Sequence, residues 1–248
     1  MTGLIDVNAV TKEFDGMMVL DGVNLSVPKG CLYGLIGPGA SGKSVLLKII
    51  TGLITPDAGK VLVEGRDVHA MSELELAEFR LKFGMLFQNN ALFDYLNVAD
   101  NIAFPLRRMT KLDEPTISRK IAERLKVVSL PGFESRLPAG LSGGQKKRIG
   151  VARATVIDAP IVLYDEPAAG LDPVTSQRIF ELLRKEQREK DATVVMVSSD
   201  LDRLLTVTDR VGMLYRGRLI FDGTTAEAKA STDPYVRQFV HGLVDGPL

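Results

Sequence analysis

Residues Gly37, Pro38, Gly39, Ala40, Ser41, Gly42, Lys43 and Ser44 fit the pattern G-x-x-x-x-G-K-[ST], which points to phosphate binding. In that pattern, successive backbone N–H groups wrap phosphate oxygens at a helix N-terminus, where the aligned peptide dipoles favour negative charge. Lys43 would reach the terminal phosphates and Ser44 would offer its hydroxyl to Mg²⁺. By itself the octapeptide leaves kinases, GTPases and many ATPases open. Two further segments carry chemistry: Leu141-Ser142-Gly143-Gly144-Gln145, and the run Ile161-Val162-Leu163-Tyr164-Asp165-Glu166. A carboxylate at the end of an apolar run is costly to bury unless it meets a cation or hydrogen bonds, and an Mg²⁺ held near Ser44 would meet Asp165. Glu166 follows directly, so it faces another way and could polarise an attacking water. The competing reading is that Asp165-Glu166-Pro167 only caps the next segment.

Strands and helices alternate around these residues. Leu4 to Val10 and Asn24 to Val27 alternate like half-buried strands, and Leu32 to Ile36 is a short apolar run feeding into the phosphate loop. Val45, Leu46, Ile49 and Ile50 are spaced as one helix from Lys43 to Gly52, and the turn Thr55 to Gly59 leads to a strand Lys60 to Val63. A strand Phe83 to Phe87 ends at Gln88. From Asn97 to Leu137 strand signals vanish, and Ile117, Ile121, Leu125 and Val128 mark one helix face. Alternation resumes with a strand Ile161 to Tyr164, a helix Val174 to Glu189 and a strand Thr193 to Val197, the rhythm of a parallel sheet.

The 248 residues, 45% of them hydrophobic, suffice for one large domain or one domain with an insert. Lys+Arg 31 against Asp+Glu 31 leaves no net charge, so nucleic acid is not an expected partner. The basic run Lys146-Lys147-Arg148 reads as a solvated helix face. The stretch Met1 to Val10 has neither a charged leader nor a long apolar segment, and no run approaches the roughly 20 apolar residues of a membrane span. A soluble chain is expected. Cys31, the single cysteine, excludes an internal disulfide and reads as a small buried residue rather than a reactive thiol.

Leu141-Ser142-Gly143-Gly144-Gln145 shortly before Asp165-Glu166, with the phosphate loop upstream, resembles the ATP-binding-cassette (ABC) ATPases over nearly the whole chain. The resemblance implies an α/β P-loop core with an antiparallel β subdomain and a helical insert. The corresponding partition is 1–88 and 138–230 for the core, 89–137 for the insert and 231–248 for a C-terminal tail. It implies ATP and Mg²⁺ as ligands, with Ser44, Asp165 and Gln88 around the metal and Glu166, Gln88 and the residue at position 199 in catalysis. It also implies that Ser142, Gly143, Gly144 and Gln145 act on the nucleotide of a second copy of the chain, with Asp172 in Gly170-Leu171-Asp172 across the same interface. Phe14 is placed like the aromatic residue that stacks on adenine; core packing is the rival reading.

A narrower resemblance, to the ATPase subunits of the maintenance-of-lipid-asymmetry (Mla) phospholipid transporters, lies in several segments. These are Gly84-Met85-Leu86-Phe87-Gln88, Ala91-Leu92-Phe93, Asn101, Pro105-Leu106-Arg107, Gly170 to Ser176 and the ending Asp233 to Phe239 with Asp245-Gly246-Pro247. It implies a membrane permease dimer, a periplasmic ring of lipid-binding MCE-domain protein, often a small STAS-domain protein, and a peripheral place on the cytoplasmic face of the inner membrane. Any longer C-terminal arm of relatives is expected to be absent. Leu92, Phe93 and Phe104 are expected to be exposed and are candidates to line a groove for a coupling helix of the permease; the rival reading is that some of them pack the insert.

Two positions depart from the family pattern. Ala40 stands where many relatives carry Gly; its methyl is expected to be tolerated on the condition that the backbone there keeps φ negative, with Gly39 next to it to adapt. Ser199, in Val197-Ser198-Ser199-Asp200, replaces a histidine that normally contacts the γ-phosphate, and neither His69 nor His241 is near it in sequence. A natural variant, a water-bridged substitute and a weakened ATPase are all compatible with that change. The reading that results is a transporter ATPase subunit. Its rivals are a soluble ABC ATPase of the DNA-repair or translation class, which usually carries a coiled coil or tandem cassettes, and a nucleotide-gated subunit with impaired hydrolysis.

Overall fold

The alternating apolar residues of the N-terminal third build an antiparallel sheet in the computed structural model, which describes residues 3–248. Met1 and Thr2, part of the N-terminal stretch read above, lie outside the described residues. Strand β1 (Ile5–Phe14) pairs with β2 (Met17–Val27) on one side and β4 (Ala58–Val63) on the other, and β4 carries β5 (Arg66–Asp67). β1 runs four residues past the Leu4 to Val10 expected from alternation. Register shifts after Val7 and Val10, with Ala9 at φ 48°, break the two-residue period there, so the pattern ends before the strand does.

The second sheet has the order β10-β9-β3-β8-β7-β6. β3 (Leu32–Ile36), β6 (Phe83–Leu86), β7 (Ile161–Asp165), β8 (Thr193–Val197) and β9 (Arg210–Tyr215) run parallel, and β10 (Arg218–Thr224) closes the edge antiparallel. β3, β7 and β8 are buried along their whole length, which is why they read as unbroken apolar runs. Their two faces meet different layers. Tyr33, Leu35, Leu163 and Val195 pack with helix α1 (Lys43–Ile50) and the antiparallel sheet. Leu32, Val162, Val194 and Met196 pack with the helical layer. α2 (Glu73–Arg80) precedes β6, starting at Ser72 with a capping box to Glu75.

The helical layer holds α3 (Val98–Met109), α4 (Glu114–Val127), α5 (Gly143–Thr155), α6 (Pro173–Lys190), α7 (Leu201–Val207), α8 (Thr225–Lys229) and α9 (Pro234–His241). Asp113 caps α4 by accepting from the Thr116 amide, and Pro115 fits the first turn because no amide is needed there. Ile117, Ile121, Leu125 and Val128 are buried, as their spacing requires. Truncating the wholly buried Leu125 to Ala would cost about 2–5 kcal/mol. Cys31 lies buried just ahead of β3, and burial pushes its thiol up to about 11, so it is an inert packing residue. Among the described residues no helix is long and apolar enough to cross a membrane.

Candidate active site

At the end of β3 the chain turns at Gly37, φ 137°, where a Cβ would lie 2.0 Å from the Leu214 carbonyl oxygen. Only glycine lets the loop leave the sheet against β9. The loop ends at Gly42, the N-cap of α1, with φ 98° and no side-chain cap. A Cβ at Gly42 would lie 2.6 Å from Leu20 Cδ2, so β2 of the antiparallel sheet closes directly on the loop. Lys43 folds back over it, donating to the carbonyls of Gly37 (2.8 Å) and Pro38 (2.7 Å) and to Ser41 Oγ (3.1 Å). Burial lowers the Lys43 pKa, and the charges of Glu166 and Asp165 oppose that shift. Ala40 does not meet the condition of a negative φ: it sits at φ 58°, in the left-handed region, because the loop turns there between Gly39 and Ser41. A non-glycine residue in that region is strained by about 1–2 kcal/mol.

Asp165 ends β7, is 4% exposed, and its Oδ1 has no hydrogen-bond partner among the described residues. A buried, unpaired carboxylate oxygen suits a divalent cation with oxygen ligands, and Ser44 lies in the first turn of α1, which packs near β7. β7 and β8 pair as far as Asp165 opposite Val197, which sets the two following loops side by side. Glu166 has φ 57°; its N–H donates to the Val197 carbonyl (2.9 Å), and its Oε2 accepts from Ser199 Oγ at 3.0 Å. The Ser199 hydroxyl is thus engaged directly with Glu166. His241, far from Ser199 in sequence, shares with it a groove of about 580 Å³ between α7 and α9, though its Nε2 bonds the Lys229 carbonyl at 3.1 Å.

Gln88 follows β6 and is exposed. Its carbonyl accepts from Lys147 Nζ at 2.7 Å, which overturns the solvated-face reading of Lys146-Lys147-Arg148. Lys147 is 4% exposed, and Arg148 donates to the carbonyls of Val128 (3.2 Å) and Ser129 (3.1 Å) at the C-terminus of α4. The packing of α5 between β6 and α4 turns both cations inward toward carbonyls that need donors. Burial lowers the Lys147 pKa, against the charges of Glu166 and Asp165. Nothing in the pattern of the run distinguishes these residues from surface cations.

α5 starts at Ser142 with a capping box: Ser142 Oγ accepts from the Gln145 amide (3.3 Å), and Gln145 Oε1 from the Ser142 amide (2.9 Å). Gly143 has open space at its Cα, and at Gly144 only Leu171 is close. Asp172 caps α6 by accepting from the amides of Val174 (3.0 Å) and Thr175 (2.9 Å). Capping is therefore the work of Asp172 and not of Asp165 or Glu166. Phe14 ends β1 at 41% exposed with the Lys12 ammonium 5.2 Å from its ring centre, so the core-packing alternative is overturned. Leu92 and Phe93 also correct an expectation: both are half-buried, Leu92 against the helical core, and only Phe104 is exposed. An apolar groove of about 330 Å³ does form between β6 and α3, lined by Met85, Phe87, Phe93 and Phe104 among others, with Leu92 outside it.

Known proteins share this arrangement. The family model described as "ABC transporter" matches residues 20–169. The probable ribonucleotide transport ATP-binding protein mkl of Mycobacterium tuberculosis is 41% identical over 244 residues, covering 98% of this chain and 68% of that protein. The intermembrane phospholipid transport system ATP-binding protein MlaF of Escherichia coli K12 is 35% identical over 248 residues, covering 100% and 92%. Among solved structures, a dimeric post-hydrolysis state of the ATP-binding cassette MJ0796, bound to ADP and Pi, superposes with a TM-score of 0.84 at 30% identity, covering 89% of this chain and 98% of that one. The chain belongs to the ABC transporter family and is one of its ATP-hydrolysing cassettes.

Proposed function

We propose that this cassette powers the movement of phospholipids between the inner and outer membranes, working as two copies that close on two ATP molecules. The ATPase chemistry rests on one observation above the rest: the buried, unpartnered Oδ1 of Asp165 at the same sheet edge as the uncapped start of α1. The first-turn amides of α1 and Lys43 take the phosphates, Lys43 exchanging the loop carbonyls for phosphate oxygens of greater charge. Ser44, Asp165 and Gln88 would hold Mg²⁺, which supplies charge neutralisation on the phosphate oxygens. Glu166 accepts the proton of the attacking water, and Ser199 restrains its Oε2. Phe14 stacks on adenine, and Ser142, Gly143, Gly144, Gln145 and Asp172 meet the nucleotide of the second copy.

Residues 1–88 and 138–230 serve as the core with its β subdomain, 89–137 as the helical subdomain and 231–248 as the tail. The lipid assignment is supported by likeness over the full chain to a protein named for intermembrane phospholipid transport. On this reading the cassette sits on the cytoplasmic face of the inner membrane. The groove at Met85, Phe87 and Phe104 receives a permease helix, and an MCE-domain ring and a STAS-domain protein complete the assembly. Purification through a tag on this chain tests it: a permease, an MCE-domain protein and phospholipid should copurify. Recovery of the chain with another class of permease and no phospholipid would overturn the lipid assignment while leaving the ATPase intact.

A further inference from the structure

On the two-copy reading, α5 joins two regions that serve different nucleotides. Its N-terminus is the Ser142 to Gln145 segment, directed at a second copy, while its flank holds the segment after β6 that carries Gln88 of this chain's own site. Lys147 donates to the Gln88 carbonyl at 2.7 Å. Arg153 donates to the carbonyls of Asn90 (2.6 Å) and Ala91 (2.8 Å). Three carbonyls within four residues are therefore gripped by cations of one helix, set about 9 Å apart along its axis. Neither cation has a carboxylate partner among the described residues. Between them Gly150 leaves room for the Leu86 and Asn90 side chains, since a Cβ there would lie 2.7 Å from Leu86 Cδ1 and 3.4 Å from Asn90 Cβ. The gripped segment is strained, with Asn90 at φ 63° and Ala91 at φ 48°, so it depends on outside contacts to keep its shape. Burying a lysine ammonium with no carboxylate in ion-pair contact is expensive even with the charges of Glu166 and Asp165 nearby, and an apolar side chain would fill the same space at less cost.

We propose that Lys147 and Arg153 are positioning residues that make α5 and residues 88–91 move as one body, so that docking of Ser142 on a partner's nucleotide places Gln88 over this chain's own. The inference rests on the two-copy reading above. Its consequence is cooperativity: each site is completed only when the other is engaged, so hydrolysis should rise steeply with ATP concentration.

Lys147→Met removes the ammonium and keeps the length and apolar stem; Lys147→Arg keeps a donor; Lys147→Gln serves if the methionine variant does not fold. The full chain is assayed for ATP-dependent phosphate release, for binding of a fluorescent ATP analogue and, in a Glu166→Gln background, for ATP-induced dimerisation by light scattering. Lys147→Met should lower kcat roughly tenfold or more, the order expected for loss of a charge-assisted hydrogen bond. It should bring the Hill coefficient to about 1 while the analogue's Kd stays within about twofold, and Lys147→Arg should recover both. Parental kcat and Hill coefficient in Lys147→Met, or a loss matched by equally weakened nucleotide binding, would overturn the coupling. If the Glu166→Gln chain fails to dimerise with ATP, the two-copy reading falls and this inference with it.

Discussion

α1 and α5 both begin at glycine-rich segments, and they satisfy their first turns in opposite ways. α1 starts at Gly42, left-handed at φ 98°, with no side chain to accept from its amides. α5 starts at Ser142, extended at φ −66°, with serine hydroxyl and Gln145 amide each serving the other's backbone. A helix start that lacks an internal acceptor is complete only with an outside anion, whereas a capped one is stable by itself and can wait for a second surface. The difference fits the proposed division, in which the first segment serves this chain's own nucleotide and the second a partner's.

The largest test of that division acts at the carboxylate beside α1. Glu166→Gln should slow ATP turnover by about 10²–10⁴-fold, the span of a lost general base, with ATP binding retained in an equilibrium titration. Parental turnover in this variant would move the base elsewhere. Lys43→Ala should weaken ATP binding by the isolated chain by about 10–100-fold, since it removes a charged donor from the phosphates. Ser142→Ala should leave that affinity alone and cost about 1 kcal/mol of stability through the lost cap, slowing turnover only where two copies meet. Equal losses of affinity in both variants would erase the distinction between the two helix starts.

Ser199 offers a smaller effect. Its hydrogen bond to Glu166 predicts that Ser199→Ala lowers kcat by about tenfold with ATP affinity unchanged, and that Ser199→His brings no gain. A histidine variant faster than the parent would show that the serine is an impaired replacement. The smallest effect concerns backbone strain: Ala40→Gly frees the φ 58° position and should stabilise the chain by up to about 1 kcal/mol. Thermal denaturation should register this as a rise in Tm of about 2–4 °C. An unchanged or lower Tm would mean that the loop bears no strain at Ala40.

Much of the site was legible as short runs of residues. Gly37 to Ser44 announced its phosphate chemistry because glycine positions and a lysine at fixed spacing are all that such a loop requires. Asp165 could be read as a buried carboxylate at a strand end because an apolar run leads into it. The helix face of Ile117, Ile121 and Leu125 followed from period alone. The early end assigned to β1, the sign of φ at Ala40 and the exposure assigned to Leu92 and Phe93 were not legible. Each depends on a bulge, a loop reversal or a neighbouring helix that no local period encodes.

Local pattern, then, determined which residues are the candidates for the chemistry and the class of sheet that bears them, since periodicity and backbone freedom act over a few residues. Tertiary structure alone decided what those residues touch. Ser199 reaches Glu166 across 33 residues because β7 and β8 pair in register. Lys147 reaches Gln88 across 59 because α5 packs on β6, converting an ordinary basic run into a buried grip. Contacts of that span depend on how sheets and helices stack, and the stacking is settled by the whole apolar core rather than by any segment within it.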